Sequence, residues 1–289
     1  MSKVFFDDAD ELSDFSPLDI RHDNVFKAVF TRDNPNSQGA LSRLVSALIG
    51  NDVTIVTIMA NEPPIDNLRD RQIRFDIKCR AGNGELVNVE MSLNPEPYEP
   101  VRLEFYAGRL FTGQDIRGVD CDYDDLKQAY QISILAAERF FPDELFFHTF
   151  EYYDPLNRVT LNGKSRIITL ELSKLDKVVD KPADSMTAKE YWAIFFRYLT
   201  DKSKRRKINE ILAKEEGIAM ATEVLMTVSR DEIERARLES ELKYELDMQS
   251  RFVHARKEGR KEERKHVLEL LDQGLSVEEI KQRLEQERP

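Results

Sequence analysis

The feature that most constrains the fold is a pair of alternating segments, residues 73–79 and 87–93, which flank the turn sequence Gly82-Asn83-Gly84. The apolar residues of both segments fall at odd positions: Ile73, Phe75, Ile77 and Cys79, then Val87, Val89, Met91 and Leu93. Because side chains alternate between the two faces of a strand, each segment has one apolar face. A three-residue loop pairs odd positions with odd positions, and glycine supplies the positive φ that it requires. The segments therefore predict a β-hairpin with one buried face.

The other face of this hairpin carries two carboxylates at opposed positions. The even residues pair as Arg74 with Ser92, Asp76 with Glu90, and Lys78 with Asn88. Opposed side chains lie about 5 Å apart at Cβ, where like charges repel. Two explanations fit this pairing. Either Arg74 and Lys78 neutralise a solvated face, or a divalent metal ion bridges the acids, since magnesium prefers oxygen ligands and often takes only one or two carboxylates.

The remaining periodicity predicts an α/β fold. Apolar residues at helical spacing indicate helices at 22–30, 40–50, 101–117 and 186–200, with Gly50 ending the second. β-Branched and aromatic runs indicate strands at 52–61 and 130–135, and a late strand pair at 145–155 and 165–173. We expect a mixed sheet flanked by helices, followed by a long helical C-terminal tail. The expected limits are 1–20 for a loose acidic segment, 21–200 for the α/β domain and 201–289 for a charged helical region.

Composition excludes several classes of function. No segment approaches the ~18 uninterrupted apolar residues of a membrane-spanning helix, and the acidic start is unlike a signal peptide. The two cysteines fit a reducing cytoplasm, so we expect a cytoplasmic protein without a membrane partner. The net charge of −11 argues against a general nucleic-acid coat protein but allows a local basic site. The four histidines are scattered, and the chain has neither a zinc-ligand spacing nor a Gly-rich phosphate loop.

Several motifs in a fixed order resemble those of a nuclease family. The hairpin contains the spacing D-x13-E-x-S, from Asp76 through Glu90 to Ser92, which resembles the PD-(D/E)XK nuclease pattern. The motif "HDNVFKAVF" (22–30) precedes it. The motifs "RLEFYAGRLFTGQ" (102–114), "YDDLKQAYQISIL" (123–135) and "LELSKLDK" (170–177) follow it. Together with the tail motif "LLDQGLSVEEIKQRL", this order resembles the Rpn family of recombination-promoting, transposase-like nucleases.

The resemblance implies a fold, a reaction and a set of site residues. It implies a restriction-endonuclease-like core and a DNA endonuclease that depends on Mg²⁺ or Mn²⁺. Asp76 and Glu90 would be metal ligands, and Asp23 matches an acidic position of the family's first helix, so it becomes a candidate third ligand. The resemblance also makes Gln114, at the end of a family motif, a further candidate, although we favour a simple surface amide. The expected partner is DNA.

One position departs from the pattern. The superfamily has a lysine two residues after the glutamate, and the Rpn family commonly has glutamine, but this chain has Ser92. A hydroxyl carries no charge that could stabilise a developing negative charge on phosphorus. Lys78 lies on the same predicted face and could supply the missing cation, although we favour a plain surface lysine. Two alternatives therefore stay open: a catalytically degenerate module that binds DNA or a protein, and an interaction protein whose C-terminal helix forms a homo-oligomer.

Overall fold

A computed structural model of the chain describes residues 17–59, 75–95, 97–114, 122–136, 140–161 and 163–228, together with Leu270 and Arg283. The chain divides into two compact units, Met1–Ile233 and Glu234–Pro289. All elements named below belong to the first unit. The predicted helical tail, and any homo-oligomer that it would form, fall outside the described residues apart from the two isolated positions.

Two helices begin the described chain, α1 (Asp23–Phe30) and α2 (Pro35–Ile49). The α1 helix buries the apolar face that its sequence predicts. The α2 helix starts before the predicted position 40, because the Asn34 side chain accepts a hydrogen bond from the Ser37 N–H and Pro35 fits the first helical position. Gly50 ends this helix as predicted, with a φ of 86° that suits glycine.

Six strands of the described chain form one mixed sheet. The described chain has eight strands in all, which are β1 (Ile55–Ile58), β2 (Ile77–Ala81), β3 (Leu86–Ser92), β4 (Ala129–Leu135), β5 (Phe147–Phe150), β6 (Tyr153–Asp154), β7 (Val159–Thr160) and β8 (Ser165–Glu171). The sheet order is β1-β2-β3-β4-β8-β5, and β6 and β7 form a separate two-stranded ribbon. The β3, β4 and β8 strands run parallel, whereas the outer pairs are antiparallel. The strand predicted at 130–135 and the late strand pair are confirmed.

Helices cover both faces of this sheet. The remaining helices are α3 (Glu99–Thr112), α4 (Asp176–Val179), α5 (Ala188–Tyr198), α6 (Arg205–Leu212) and α7 (Glu216–Thr227). Short 3-10 turns lie at Tyr123–Asp125, Leu172–Lys174, Ala183–Ser185 and Lys202–Lys204. The main core joins one sheet face to α1, α2, α5, α6 and α7, and α3 packs against β3, β4 and β8 on the other face. This arrangement confirms the predicted α/β class with a mixed sheet between helices.

The predicted domain limits are not decided by these contacts and stay predictions. Two helices beyond residue 200, α6 and α7, nevertheless place Ile208, Ile211 and Ile218 in the same core as α1 and α2. No helix in the described ranges is long and apolar enough to cross a membrane.

The hairpin register is confirmed where β2 and β3 pair. Ile77 lies opposite Val89, Lys78 opposite Asn88, and Cys79 opposite Val87. The predicted face of Phe75 is wrong, and the explanation by a solvated face does not hold at Glu90. Phe75 joins the smaller cluster on the α3 side, because the chain bends at Asp76 before β2 begins. The face that carries Glu90 is not solvated, because α3 covers it.

Candidate active site

Glu90 lies in the middle of the sheet, on the face that α3 covers. Its strand, β3, is paired on both sides, by β2 and by β4, and its side chain is only 2% exposed. Neither carboxylate oxygen has a hydrogen-bond partner among the described residues. Burial, and then the charge of Asp76, raise the pKa of Glu90 to about 8, against the opposing effect of Arg102. The fold therefore holds a carboxyl group in a place that favours its protonated form.

Asp76 lies immediately before β2, at the same end of the hairpin. Its Oδ2 accepts a hydrogen bond from the Met91 N–H at 3.3 Å, which fixes the side chain against the strand of Glu90. Its Oδ1 lies 3.1 Å from Nζ of Lys27. Burial raises the pKa of Asp76 above its ordinary value, and the Lys27 ammonium opposes this rise without cancelling it. The charge of Asp76 also reaches Glu90 and helps to raise its pKa, so the two acids influence each other.

Lys27 brings the first helix to this pair. Its Nζ lies 2.8 Å from Oδ1 of Asp23, one helical turn earlier, and 3.1 Å from Oδ1 of Asp76. Burial alone would lower the pKa of Lys27, but the charges of Asp76 and Asp23 outweigh that effect and raise it. One ammonium group therefore holds Asp23 beside Asp76. The candidate role of Asp23 as a third ligand stays a prediction.

Arg102 of α3 forms the opposite side of the site. Its guanidinium lies 3.5 Å from Oε2 of Glu90 and 3.0 Å from Oε1 of Glu99, and it stacks over the Tyr106 ring at 5.1 Å. Burial acts to lower the pKa of Arg102, but the two glutamates raise it further above its ordinary value. With 35% of its side chain exposed, Arg102 connects a buried carboxyl group to the surface.

The other predicted site residues are not joined to the two acids by ion pairs in the described structure. Ser92 is the last residue of β3. The Lys78 ammonium lies 5.4 Å from the centroid of the Phe75 ring, and no ion pair joins it to Asp76 or Glu90 in the described structure. The side-chain amide of Gln114 forms two hydrogen bonds with the backbone of Lys127: it accepts one from the Lys127 N–H and donates one to the Lys127 carbonyl. The catalytic roles of Ser92 and Lys78 stay predictions, and Gln114 has a structural role.

Sequence reasoning missed Lys27 and Arg102. Both lie inside motifs that carry the family resemblance, "HDNVFKAVF" and "RLEFYAGRLFTGQ". A signal was present, because an acid precedes each cation on the same helix face. Asp23 lies four residues before Lys27, and Glu99 lies three residues before Arg102, just outside the second motif. The sequence does not show that α1 and α3 pack against the hairpin beside its two carboxylates.

The residues present fit a hard divalent cation. Asp76 and Glu90 offer carboxylate oxygens, and the two oxygens of Glu90 are buried without a hydrogen-bond donor. Within the described ranges, no three His, Cys, Asp or Glu side chains converge as a complete ligand set. Magnesium does not require one, because it commonly keeps several waters and binds one or two carboxylates plus a substrate phosphate. Such a site would be completed by substrate.

Comparison with known proteins agrees with this geometry. A family model described as PD-(D/E)XK nuclease family transposase matches residues 20–255, which include α1, the hairpin and α3. The match confirms the resemblance that the motifs indicate. No curated protein and no solved structure matches the chain.

Proposed function

Because the chain belongs to the PD-(D/E)XK nuclease family transposases, we propose that it is a Mg²⁺-dependent DNA endonuclease of the recombination-promoting type. Membership of the family indicates a nuclease-like function. The dependence on magnesium or manganese, the endonucleolytic cut and the recombination role are the finer parts of the proposal. Asp76 and Glu90 would be the principal metal ligands, with Asp23 as a third.

The observation that carries the proposal is the burial of the Glu90 carboxyl group without hydrogen bonds to the described residues. A carboxyl group that is 2% exposed and next to a second acid, with the Arg102 guanidinium 3.5 Å away but no hydrogen bond to it, is costly for a fold that has no use for it. A purely structural position would be better filled by an apolar residue or by glutamine. Strongly perturbed carboxyl groups of this kind cluster at functional sites. A bound divalent cation would remove the cost, because it favours the ionised form of both acids.

The reaction is hydrolysis of a phosphodiester bond. A water oxygen forms a new bond to phosphorus, the bond from phosphorus to the sugar oxygen breaks, and the proton lost by water balances the proton gained by the sugar oxygen. A bound Mg²⁺ would supply Lewis-acid polarisation of the phosphate and a lowered pKa for the attacking water. The chain positions the groups: the hairpin carries Asp76 and Glu90, α1 brings Lys27 to Asp76, and α3 brings Arg102 to Glu90.

Arg102 is the residue that we assign to the phosphate. Its guanidinium is half-buried, stays charged at all relevant pH values and presents several donors in a planar fork that suits phosphate. It already lies 3.5 Å from the carboxylate of Glu90, so a phosphate bound at that carboxylate would come within its reach. Its ion pair with Glu99 holds the guanidinium in this orientation.

Ser92 supports a second candidate function. A serine in place of lysine or glutamine removes a group that the pattern uses, so the chain could be a degenerate nuclease that binds DNA or a protein without cutting. Both candidates keep the same fold and the same carboxylates. They differ in whether the DNA backbone is cleaved.

A nicking assay tests the proposal. Supercoiled plasmid is incubated with the wild type, with Asp76→Asn and with an exposed control, Asp52→Asn, in Mg²⁺ or Mn²⁺. Asparagine can still accept the hydrogen bond from the Met91 N–H, so the hairpin should stay intact. We expect the wild type and the control to nick the plasmid. The nicking rate of Asp76→Asn should be at least about a hundredfold lower, because mutating a residue that only supports a metal ligand already lowers activity or metal affinity about 10–100-fold.

The outcomes separate the two candidates. Plasmid that stays supercoiled with the wild type in both metals, while DNA binding is retained in a gel-shift assay, favours the degenerate module. Nicking that persists in Asp76→Asn would show that the hairpin acids are not the site.

A further inference from the structure

Lys27 is the cation that lies closest to the hairpin acids in the described structure. Its Nζ contacts Oδ1 of Asp23 at 2.8 Å and Oδ1 of Asp76 at 3.1 Å, and 23% of its side chain is exposed. The three groups come from α1 and from the residue that precedes β2, so a long-range contact builds this arrangement. The ammonium therefore lies between two candidate ligands.

The other basic residues described near the site are differently engaged. Lys78 lies over the Phe75 ring, and Arg102 is bound to Glu90 and Glu99 on the far side of the site. Ser92 contributes no charge. Of the described cations, Lys27 is the one whose ammonium is held against Asp76, the residue that begins the D-x13-E-x-S pattern.

The contacts of Asp76 set a condition on metal binding. Its two oxygens are already used, Oδ1 by Lys27 and Oδ2 by the Met91 N–H. A cation that binds Asp76 and Asp23 must share or displace the ammonium of Lys27. The lysine stem has four flexible carbons, and its ammonium is a compact point charge, so it can move a short way and stay beside the carboxylates.

We infer that Lys27 is the lysine of this site: its ammonium pairs with both Asp23 and Asp76 and, if those carboxylates held a metal ion, would donate from Nζ to the scissile phosphate. It thereby supplies from α1 the charge that the nuclease pattern places two residues after the glutamate. Lys27 stays protonated throughout, so no proton or electron is transferred to it. This inference rests on the proposed function and names a catalytic residue for it.

Two measurements on the full-length chain test the inference. The first is the dissociation constant for Mn²⁺ alone, by calorimetry. The second is nicking of supercoiled plasmid at saturating Mn²⁺. The variants are Lys27→Met, which removes the charge, and Lys27→Gln, which removes it but can still donate to the two carboxylates if Lys27→Met fails to fold. The matched control is Lys177→Met, an exposed lysine of α4.

The expected result is a split between the two readouts. Mn²⁺ should bind the Lys27 variants about three- to tenfold more tightly, because a competing ion pair worth about 1 kcal/mol is gone. Nicking should fall about 10²- to 10³-fold, the loss that follows removal of one charge-stabilising donor from an active site. Adding Ser92→Lys to Lys27→Met should restore part of the activity, since residue 92 lies on the face of Glu90, about 7 Å further along the strand.

Each other outcome overturns a specific statement. Tighter Mn²⁺ binding with undiminished nicking would make Lys27 a counter-ion only. Loss of nicking in Lys78→Met, with retention in Lys27→Met, would assign the charge to the hairpin lysine. A wild type that binds Mn²⁺ but never nicks would overturn the catalytic role of Lys27 and the endonuclease together. A wild type that binds no Mn²⁺ would overturn the metal site itself.

Discussion

Replacing Glu90 with glutamine should change how the stability of the protein depends on pH. Burial and the charge of Asp76 raise the pKa of Glu90 from 4.5 to about 8 in the folded state. The folded protein therefore binds the proton more tightly than the unfolded chain does. The free energy of unfolding should fall as pH rises from about 4.5 to about 8, and the Glu90 contribution should level off above that range. Glutamine cannot ionise, so the variant lacks this loss.

The size of the effect follows from the shift. Each pKa unit is worth about 1.4 kcal/mol, so the full shift corresponds to at most roughly 5 kcal/mol. Relaxation of the site and the nearby Arg102 guanidinium reduce this value, and we expect about 2 to 4 kcal/mol. At pH 5 the variant and the wild type should have similar stability. At pH 8.5 the glutamine variant should be the more stable one by that amount.

The assay is urea unfolding at a series of pH values, with EDTA present to remove metal ions. Trp192 is the single tryptophan and is fully buried, so its fluorescence reports the loss of the core. The matched control is Glu104→Gln, an exposed glutamate of the same helix as Arg102. Its stability should follow the wild-type curve at every pH. A constant difference between wild type and Glu90→Gln across the pH range, or a wild type that gains relative stability with rising pH, would refute the reasoning and show that Glu90 is ionised in the fold.

Two further predictions concern the framework. Lys174→Met should destabilise the fold by about 3–5 kcal/mol, because Glu171 is fully buried and would lose an ammonium 2.6 Å away; unchanged urea unfolding would contradict this. Gly217→Ala should lower the free energy of unfolding by about 1–3 kcal/mol, because a Cβ at this position would meet Cβ of Arg43 at less than van der Waals distance. A Cβ at Gly108 would meet no atom within 4 Å, so Gly108→Ala should be neutral or slightly stabilising. Equal melting temperatures for the two glycine variants would show that α2 and α7 separate easily.

The sequence by itself determined the local parts of this protein. Alternation with a period of two fixes which residues of a strand share a face, and the hairpin pairs of Ile77 with Val89 and Cys79 with Val87 follow from it. Gly50 ends α2 where the sequence predicts, since glycine accepts the left-handed conformation at little cost. The placement of one acid on each side of the hairpin, Asp76 and Glu90, was also readable from the sequence.

Only the tertiary structure decided what covers the hairpin. Parity says that Glu90 and Asn88 face the same way, but it cannot say that α3 lies over them, and that burial is what raises the pKa of Glu90. Phe75 departs from its predicted face because the bend at Asp76 breaks the alternation. The contact of Lys27 with Asp76 joins residues that are distant along the chain. Local patterns show which side chains share a face. Which element covers that face depends on how distant helices pack, and this packing decides which charged groups lie beside Asp76 and Glu90.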